Sequence, residues 1–211
     1  LAAKQLHGQD DVEYAEPNYR MTASVEPDDE FYGRQWHYQQ LNLAAAWDKS
    51  TGSDNVKIAV LDTGIVANHP DLAARLSADS YDFISNVSSS GDGDGADSDA
   101  QDPGDGRDNN ACSTSSSRSS SFHGTHVAGT IGASTNNRIG TAGVTWAGEI
   151  MNLRVLGCDG GSTFDIAQAL LYAAGIENAL GINPTKTAAV ANLSLGGGQP
   201  SNVLNNAVQA A

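Results

Sequence analysis

The 211-residue chain contains 25 Asp and Glu against 11 Lys and Arg, which gives a formal charge of −14. This acid excess argues against a nucleic-acid-binding protein, because phosphate binding requires clustered Lys and Arg. No stretch of about 18 apolar residues exists, so we expect no membrane-spanning segment. The first 25 residues also lack the apolar region of a signal peptide.

Short apolar runs alternate with helical patterns along the chain. Strands are predicted at three runs rich in β-branched and apolar side chains: residues 56–61, 149–156 and 188–195. Helices are predicted at residues 43–47, 125–131, 163–178 (with Ser162 or Thr163 as N-cap) and from Ser201 onwards. This order predicts a three-layer α/β/α domain with a mostly parallel sheet.

An acidic, serine-rich segment covers residues 85–121 and holds seven Asp against two Arg. Such a composition would be disordered by itself, yet a structureless loop of this length is rare within a compact domain. We therefore expect a hard cation to organise it. The candidate ligands are Asp92, Asp94, Asp97, Asp99, Asp102 and Asp105. The alternative is a solvated linker.

The two cysteines, Cys112 and Cys158, lie in loop-like surroundings rich in Gly, Ser, Asn and Asp. Buried structural thiols are uncommon in such surroundings, so we expect a disulfide between them, with two free thiols as the alternative. A disulfide indicates an oxidising, secreted environment.

Two residues suited to catalysis stand at the ends of predicted elements. Asp62 directly follows the first strand, where a carboxylate can project from the carboxyl edge of the sheet, and His123 precedes a helix in which Gly124 and Gly129 allow close backbone approach. A buried carboxylate bound to an imidazole fixes its tautomer and stabilises the imidazolium formed when it accepts a proton from a nucleophile. The alternatives for Asp62 are a turn cap or an aspartic protease, which would need a second Asp-Thr-Gly triplet. A zinc pair of His123 and His126 is also possible, but it lacks the metalloprotease spacing.

Three parts of the chain resemble, in order and spacing, signature blocks of the subtilisin-like serine proteases. They are residues 60–65 (Val-Leu-Asp-Thr-Gly-Ile) with 69–72 (His-Pro-Asp-Leu), 123–130 (His-Gly-Thr-His-Val-Ala-Gly-Thr) and 192–197 (Asn-Leu-Ser-Leu-Gly-Gly). The resemblance covers the chain from about Asp28 to its last residue. It implies a secreted, calcium-stabilised serine endopeptidase in which Asp62 is the triad acid, His123 the general base and His126 a buried helix residue.

The same resemblance identifies two groups that the chain does not contain. The family's nucleophile lies in a Gly-Thr-Ser-Met-Ala type block and its oxyanion-hole Asn in an Ala-Gly-Asn block, and neither block occurs in this sequence. Ser194 is no substitute, because it belongs to the segment that lines the substrate groove. We therefore expect the chain alone to be inactive. It would be a nicked or shortened N-terminal part of a peptidase, or a part completed by a complementary C-terminal fragment. The resemblance thus implies an α/β domain that is incomplete on its C-terminal side, with a bare sheet edge. A non-catalytic calcium-binding secreted module on the same fold is the alternative.

The resemblance also implies where substrate and calcium bind. A polypeptide substrate would lie as an added strand between two segments, formed by Gly160, Gly161 and Ser162 and by Ser194, Leu195 and Gly196. A Ca²⁺ ion would bind at the 134–141 loop through Asp29, Asp71, Ser134, Asn137, Ile139 and Thr141. A plain turn is the alternative for this loop, which contains Arg138 and no acid.

The N-terminal stretch does not belong to the α/β pattern. Residues 12–19 are strand-like, and residues 12–18 resemble the last strand of the family's inhibitory propeptide. The resemblance then divides the chain into a propeptide tail with the cleavage region, residues 1–25, and the N-terminal part of the peptidase domain, residues 26–211. It implies self-cleavage between about Thr22 and Glu26, with the propeptide as an inhibitory partner.

Overall fold

The computed structural model of the chain describes residue 9 and residues 11–18, 25–112 and 118–211. At its centre is a parallel four-stranded sheet with the strand order β2-β3-β1-β4. The strands are β1 (Lys57–Asp62), β2 (Tyr81–Asp82), β3 (Glu149–Arg154) and β4 (Val190–Asn192). The three predicted strands therefore form, and the two-residue β2 is an addition that the sequence pattern did not indicate.

The strand β4 differs from its prediction in length and in burial. It covers three of the eight residues predicted, and Val190 is 56% exposed. β4 lies at the end of the sheet and pairs only with β1 in the described residues. Its apolar composition was therefore a poor guide to its burial, because an edge strand has a neighbour on one side only.

Helices cover both faces of the sheet, which confirms the three-layer prediction. On one face α5 (Thr163–Ala173) and α6 (Asn202–Ala210) pack in a core that includes Leu61 of β1. On the other face α4 (His123–Gly132) packs against Val60. Successive side chains of a strand point to opposite faces, so β1 supplies both cores.

The longer helices begin and end where their capping residues dictate. Ser162 Oγ accepts a hydrogen bond from Asp165 N at 3.0 Å, which caps α5 as predicted. The helix stops at Ala173 rather than at residue 178, because Gly175 adopts a φ of +72° and ends it. The remaining α-helices are α1 (Trp36–Gln40), α2 (Leu43–Trp47) and α3 (Val87–Ser90). Within the described ranges, no helix has the length and apolar character required to cross a bilayer.

The described part of the N-terminal stretch is exposed and contains no strand. Residues 11–18 form turns and irregular structure, and Tyr14 is 70% exposed. The prediction of a strand over residues 12–19 is therefore wrong for its described part, which finds no neighbouring strand to pair with. The expected cleavage region lies mostly outside the described residues, which resume at residue 25.

A buried ion pair stands at the start of β1. Lys57 Nζ donates to Asp79, and Thr185 donates to the same carboxylate through its N–H and its hydroxyl, each at 2.8 Å. Burial acts to raise the pKa of Asp79, but the hydrogen bonds from Lys57 and Thr185 outweigh it and hold the pKa at about 2. Asp79 thus links Lys57 of β1 to Thr185 in the loop before β4.

Candidate active site

Asp62 and His123 lie side by side at the carboxyl edge of the sheet. Asp62 ends β1 and is fully buried, and His123 is the first residue of α4. His123 Nδ1 lies 2.8 Å from Asp62 Oδ1 and 3.0 Å from Oδ2, so the ring donates its Nδ1 hydrogen to the carboxylate. This tautomer leaves Nε2 free to accept a proton, and the His123 side chain is 46% exposed. The pair can therefore act as a general base towards a group that approaches from the solvent side.

The backbone around this pair is closely packed. Thr63 N donates to Asp62 Oδ1 at 2.7 Å, which holds the carboxylate within the turn after β1. A Cβ atom on Gly124 would lie 2.2 Å from Gly64 O and 3.1 Å from Asp62 Cβ. Only glycine therefore lets α4 approach the turn. A Cβ on Gly129 would meet nothing within 4 Å, so the close approach predicted there is wrong.

The acidic segment is organised by protein groups in its described part. Asp102 Oδ2 accepts from Thr63 Oγ1 at 2.6 Å, and both oxygens of Asp105 accept from Ser121. Burial raises the pKa of Asp102, against the effect of the Thr63 hydrogen bond. The predicted disulfide between Cys112 and Cys158 is present and joins the segment to the loop after β3. The solvated linker is therefore wrong for Asp102, Asp105 and Cys112, which are buried and held by contacts with the rest of the chain.

The more exposed aspartates of the segment form local turns. Asp92 Oδ1 accepts from the N–H of Asp94, and Asp97 Oδ1 accepts from the N–H of Asp99. Among the described residues, no group of three or more His, Cys, Asp or Glu side chains is arranged to hold a metal ion. The calcium site proposed for this segment remains a prediction.

Arg154, at the end of β3, is the largest fully buried side chain and was not singled out by the sequence analysis. Its guanidinium donates to Asp82, to Asp92, to the carbonyl of Ser90, and to Thr63 O at 3.2 Å. Burial raises the pKa of Asp82 to about 7, against the charge of Arg154. The sequence contained one signal for this residue, which is an arginine within an apolar strand. Such an arginine is expected to be buried, and a buried cation requires acidic partners.

Asp29 and Asp71 reach the 134–141 loop from different parts of the chain. Asp71 accepts from Thr141 N at 3.0 Å and from Asn137 Nδ2 at 2.8 Å. Asp29 and Asp71 are 5% and 2% exposed, and Asp29 Oδ1 is buried with no hydrogen-bond partner among the described residues. The structure thus brings both predicted carboxylates to the predicted loop.

The other groups of this loop leave the two carboxylates without a cationic partner. Arg138 pairs with the exposed Asp28 instead. Ser134 N donates to the carbonyl of Asp71 at 2.8 Å, and Ile139 N donates to Asn137 Oδ1 at 2.8 Å. Two buried carboxylates that no described Lys or Arg neutralises fit a hard, oxygen-binding cation.

The two predicted substrate segments follow β3 and β4 at the same edge of the sheet. Because β1 lies between these strands, Asp62 stands between the segments. Residues 160–162 are exposed, with Gly160 in a turn closed by Gly157 N, which donates to Gly160 O at 2.9 Å. Ser194 and Gly196 are exposed and Leu195 is half-buried. A cavity of about 240 Å³ adjoins the first segment and is lined in part by Gly161, Ser162 and Asp165.

His126 lies three residues after His123 in the same helix. It is exposed, so the expectation of a buried helix residue is wrong for the described structure. His126 lines a separate cavity of about 840 Å³ together with Trp36 and Phe122, and the lining includes neither Asp62 nor His123. His123 Nδ1 is bound to Asp62, whereas His126 lies in the lining of this cavity, and the zinc pair stays an untested alternative.

Comparison with known proteins gives a match to the Subtilase family over residues 53–211. An extracellular protease of Xanthomonas campestris pv. campestris is 42% identical to this chain over 218 residues, which is 99% of the chain and 36% of that protein. The thermitase of Thermoactinomyces vulgaris is 33% identical over 184 residues, covering 86% of the chain and 52% of the thermitase.

A solved protease of Pseudoalteromonas arctica PAMC 21717 has a similar structure. It superposes with a TM-score of 0.80 and 46% sequence identity over 88% of this chain and 55% of that one. The chain thus spans roughly a third to a half of the length of these relatives.

Proposed function

The chain belongs to the subtilase family, and from that premise we propose that the whole protein is a secreted serine endopeptidase that uses Asp62 and His123. The observation that carries the proposal is the 2.8 Å contact between His123 Nδ1 and the fully buried Asp62. Extracellular proteases among the relatives support secretion. Among the described residues no serine hydroxyl hydrogen bonds to the His123 ring, so we propose that another part of the whole protein supplies the nucleophile.

The two residues would have separate roles in peptide hydrolysis. His123 Nε2 accepts the proton of the serine hydroxyl as that oxygen attacks the peptide carbonyl, and later returns the proton to the leaving amine. Asp62 accepts the Nδ1 hydrogen, holds the ring in that tautomer and stabilises the imidazolium. The substrate backbone would lie between segments 160–162 and 194–196, which flank the end of β1, with main-chain hydrogen bonds as in an added strand.

Activity of the whole protein tests this proposal. We expect hydrolysis of an unfolded protein such as casein and covalent labelling by a serine-directed fluorophosphonate. Asp62→Asn should lower kcat by about 10⁴-fold, the size of loss that the triad aspartate gives in subtilisin. His123→Ala should abolish both hydrolysis and labelling.

His126→Ala is the matched control, because it removes an imidazole one turn further along the same helix. It should hydrolyse casein at close to the wild-type rate. A whole protein that folds but takes no label, or a His123→Ala variant that stays active, would contradict the proposal. The first of these results would favour a non-catalytic module on the same fold.

We further propose that Ca²⁺ binds between the 134–141 loop and the carboxylates of Asp29 and Asp71. The predicted ligand set is those two side chains with Ser134, Asn137, Ile139 and Thr141. The ion would supply positive charge to the two buried carboxylates and join the N-terminal segment to the loop after α4. The unpartnered Asp29 Oδ1 supports this assignment.

Thermal unfolding with calcium and with a chelator tests the site. A hundredfold excess of Ca²⁺ over its Kd should stabilise the chain by about 2.7 kcal/mol. Asp71→Asn should remove most of this effect. Asp28→Asn is the control, because Asp28 is an exposed neighbour that pairs with Arg138. Equal Tm values with calcium and with chelator in the wild type would contradict the proposed site.

The cleavage of residues 1–25 as a propeptide tail remains part of the proposal. An N-terminal sequence of the mature protein that begins between about Thr22 and Glu26 would support it, whereas a mature protein that retains residues 1–21 would refute it.

A further inference from the structure

The helix that carries His123 begins without a side-chain cap of its own. Phe122, at the N-cap position, has a φ of +47° and makes no capping hydrogen bond. The first N–H groups of a helix need partners from outside the helix. Two hydroxyls supply them here. Ser121 Oγ accepts from His123 N at 3.2 Å, and Thr63 Oγ1 accepts from Gly124 N at 3.0 Å.

Each of these hydroxyls is in turn bound to a buried carboxylate of the acidic segment. Thr63 Oγ1 donates to Asp102 Oδ2 at 2.6 Å, and Ser121 Oγ donates to Asp105 Oδ2 at 2.9 Å. A hydroxyl has one hydrogen, and an ionised carboxylate can only accept. The hydroxyl hydrogen therefore goes to the carboxylate, and a lone pair is left facing the helix N–H.

The backbone holds Asp102 in this position. Its Oδ1 accepts from Gly104 N at 2.8 Å, and its own N–H donates to Ile65 O at 3.3 Å. A Cβ on Gly64 would lie 2.9 Å from Asp102 N, so the acidic segment packs closely on the turn after β1. Two negative charges near the start of α4 also suit the positive end of the helix dipole.

We infer that Asp102 and Asp105 are positioning residues for the pair of Asp62 and His123. Each directs a hydroxyl lone pair onto one of the first two N–H groups of α4, and together they set the position of the His123 ring against Asp62. The catalytic meaning of this arrangement rests on the proposed function. The acidic segment thus becomes part of the site, although the sequence indicated only cation ligands there.

The NMR signal of the hydrogen on His123 Nδ1 reports the contact between His123 and Asp62. The chain is labelled with ¹⁵N-histidine, and the His123→Ala variant identifies the resonance. Asp102→Asn and Asp105→Asn should each raise the rate at which this hydrogen exchanges with water by about tenfold or more. The physical reason is that both carboxylate oxygens of each aspartate accept hydrogen bonds from the protein. In asparagine an NH₂ group replaces one of these oxygens, and this group would face a donor instead of an acceptor.

Two further sets of variants separate positioning from general effects. Asp108→Asn is the matched control, because Asp108 also binds a hydroxyl, that of Ser120, which accepts from Gly106 N rather than from α4. Thr63→Val should raise the exchange rate as Asp102→Asn does, whereas Thr63→Ser keeps the hydroxyl and should restore the wild-type rate. The threonine variants test the same contact if an aspartate variant fails to fold.

Urea unfolding of every variant is measured in parallel, because a loss of stability can itself raise the exchange rate through unfolding. Only an increase in exchange rate larger than the measured loss of stability explains is counted as loss of positioning. The inference is overturned if the folded aspartate and valine variants keep the wild-type exchange rate, or if Asp108→Asn raises it equally. A wild-type chain without a protected Nδ1–H would refute the pairing of Asp62 with His123 itself. That result would count against the proposed function, whereas unchanged variants count only against the positioning role.

Discussion

Substitution of two glycines in the same helix should have effects of opposite sign. Gly124 and Gly129 both lie in α4, and neither has a positive φ, so alanine is compatible with the backbone at both positions. The difference is in the space around them. An alanine Cβ at residue 124 would lie 2.2 Å from Gly64 O, whereas at residue 129 it meets nothing within 4 Å.

The magnitude follows from which atoms can move. The contact at residue 124 is more than 1 Å shorter than an ordinary carbon–oxygen contact, and the obstructing atom belongs to the backbone. Gly64 has little room to move, because even a Cβ on it would lie only 2.8 Å from Ala100 O and 2.9 Å from Asp102 N. Overpacking of this kind costs about 1–3 kcal/mol, against a gain in helix propensity of at most ~1 kcal/mol. We therefore expect Gly124→Ala to lose about 1–2 kcal/mol and Gly129→Ala to gain about 0.5–1 kcal/mol.

Urea unfolding at pH 7 measures both free energies of unfolding, and the Nδ1–H signal of His123 measures the position of the ring. Gly124→Ala should also weaken that signal, because α4 must move away from Asp62 to relieve the contact. Gly129→Ala should leave it unchanged. If Gly124→Ala unfolds at the wild-type urea concentration with an intact signal, the close packing of α4 on the turn after β1 is refuted.

Three further changes test the charges and the cross-link. Lys57 and Thr185 lower the pKa of Asp79 from 3.8 to about 2. Asp79 therefore stabilises the fold above pH 3.8, and this contribution disappears as the pH falls towards 2. Asp79→Asn should cost about 2 kcal/mol of the free energy of unfolding at pH 7 and should flatten the acid side of the stability profile. Replacing both Cys112 and Cys158 with serine removes a cross-link across 46 residues. This should lower the free energy of unfolding in urea by up to about 4 kcal/mol. A loss below ~1 kcal/mol would contradict a closed disulfide in solution. Arg154→Met removes the cation that opposes the effect of burial on Asp82, so the pKa of Asp82 should rise further above 7 and the loss of stability should grow as the pH rises above 7. A loss of stability that is the same at pH 6 and at pH 9 would refute that ion pair.

Local sequence patterns were sufficient for the elements in the middle of the chain. Apolar runs indicated β1 and β3, and the serine before Thr163 predicted the start of α5 because a hydroxyl caps a helix wherever it stands. The motifs around Asp62 and His123 indicated a carboxylate at the end of a strand and an imidazole at the start of a helix. These features depend on neighbours in sequence, which is why they could be predicted.

The burial of β4 and of His126 depended instead on what lies beside them in space. The same is true of Arg154, whose acidic partners Asp82 and Asp92 are 72 and 62 residues away. Composition marked the acidic segment as unusual, but only the tertiary structure decided that Asp102 faces Thr63 rather than solvent. Side-chain chemistry states which partners a group needs, and chain topology decides which of them it meets.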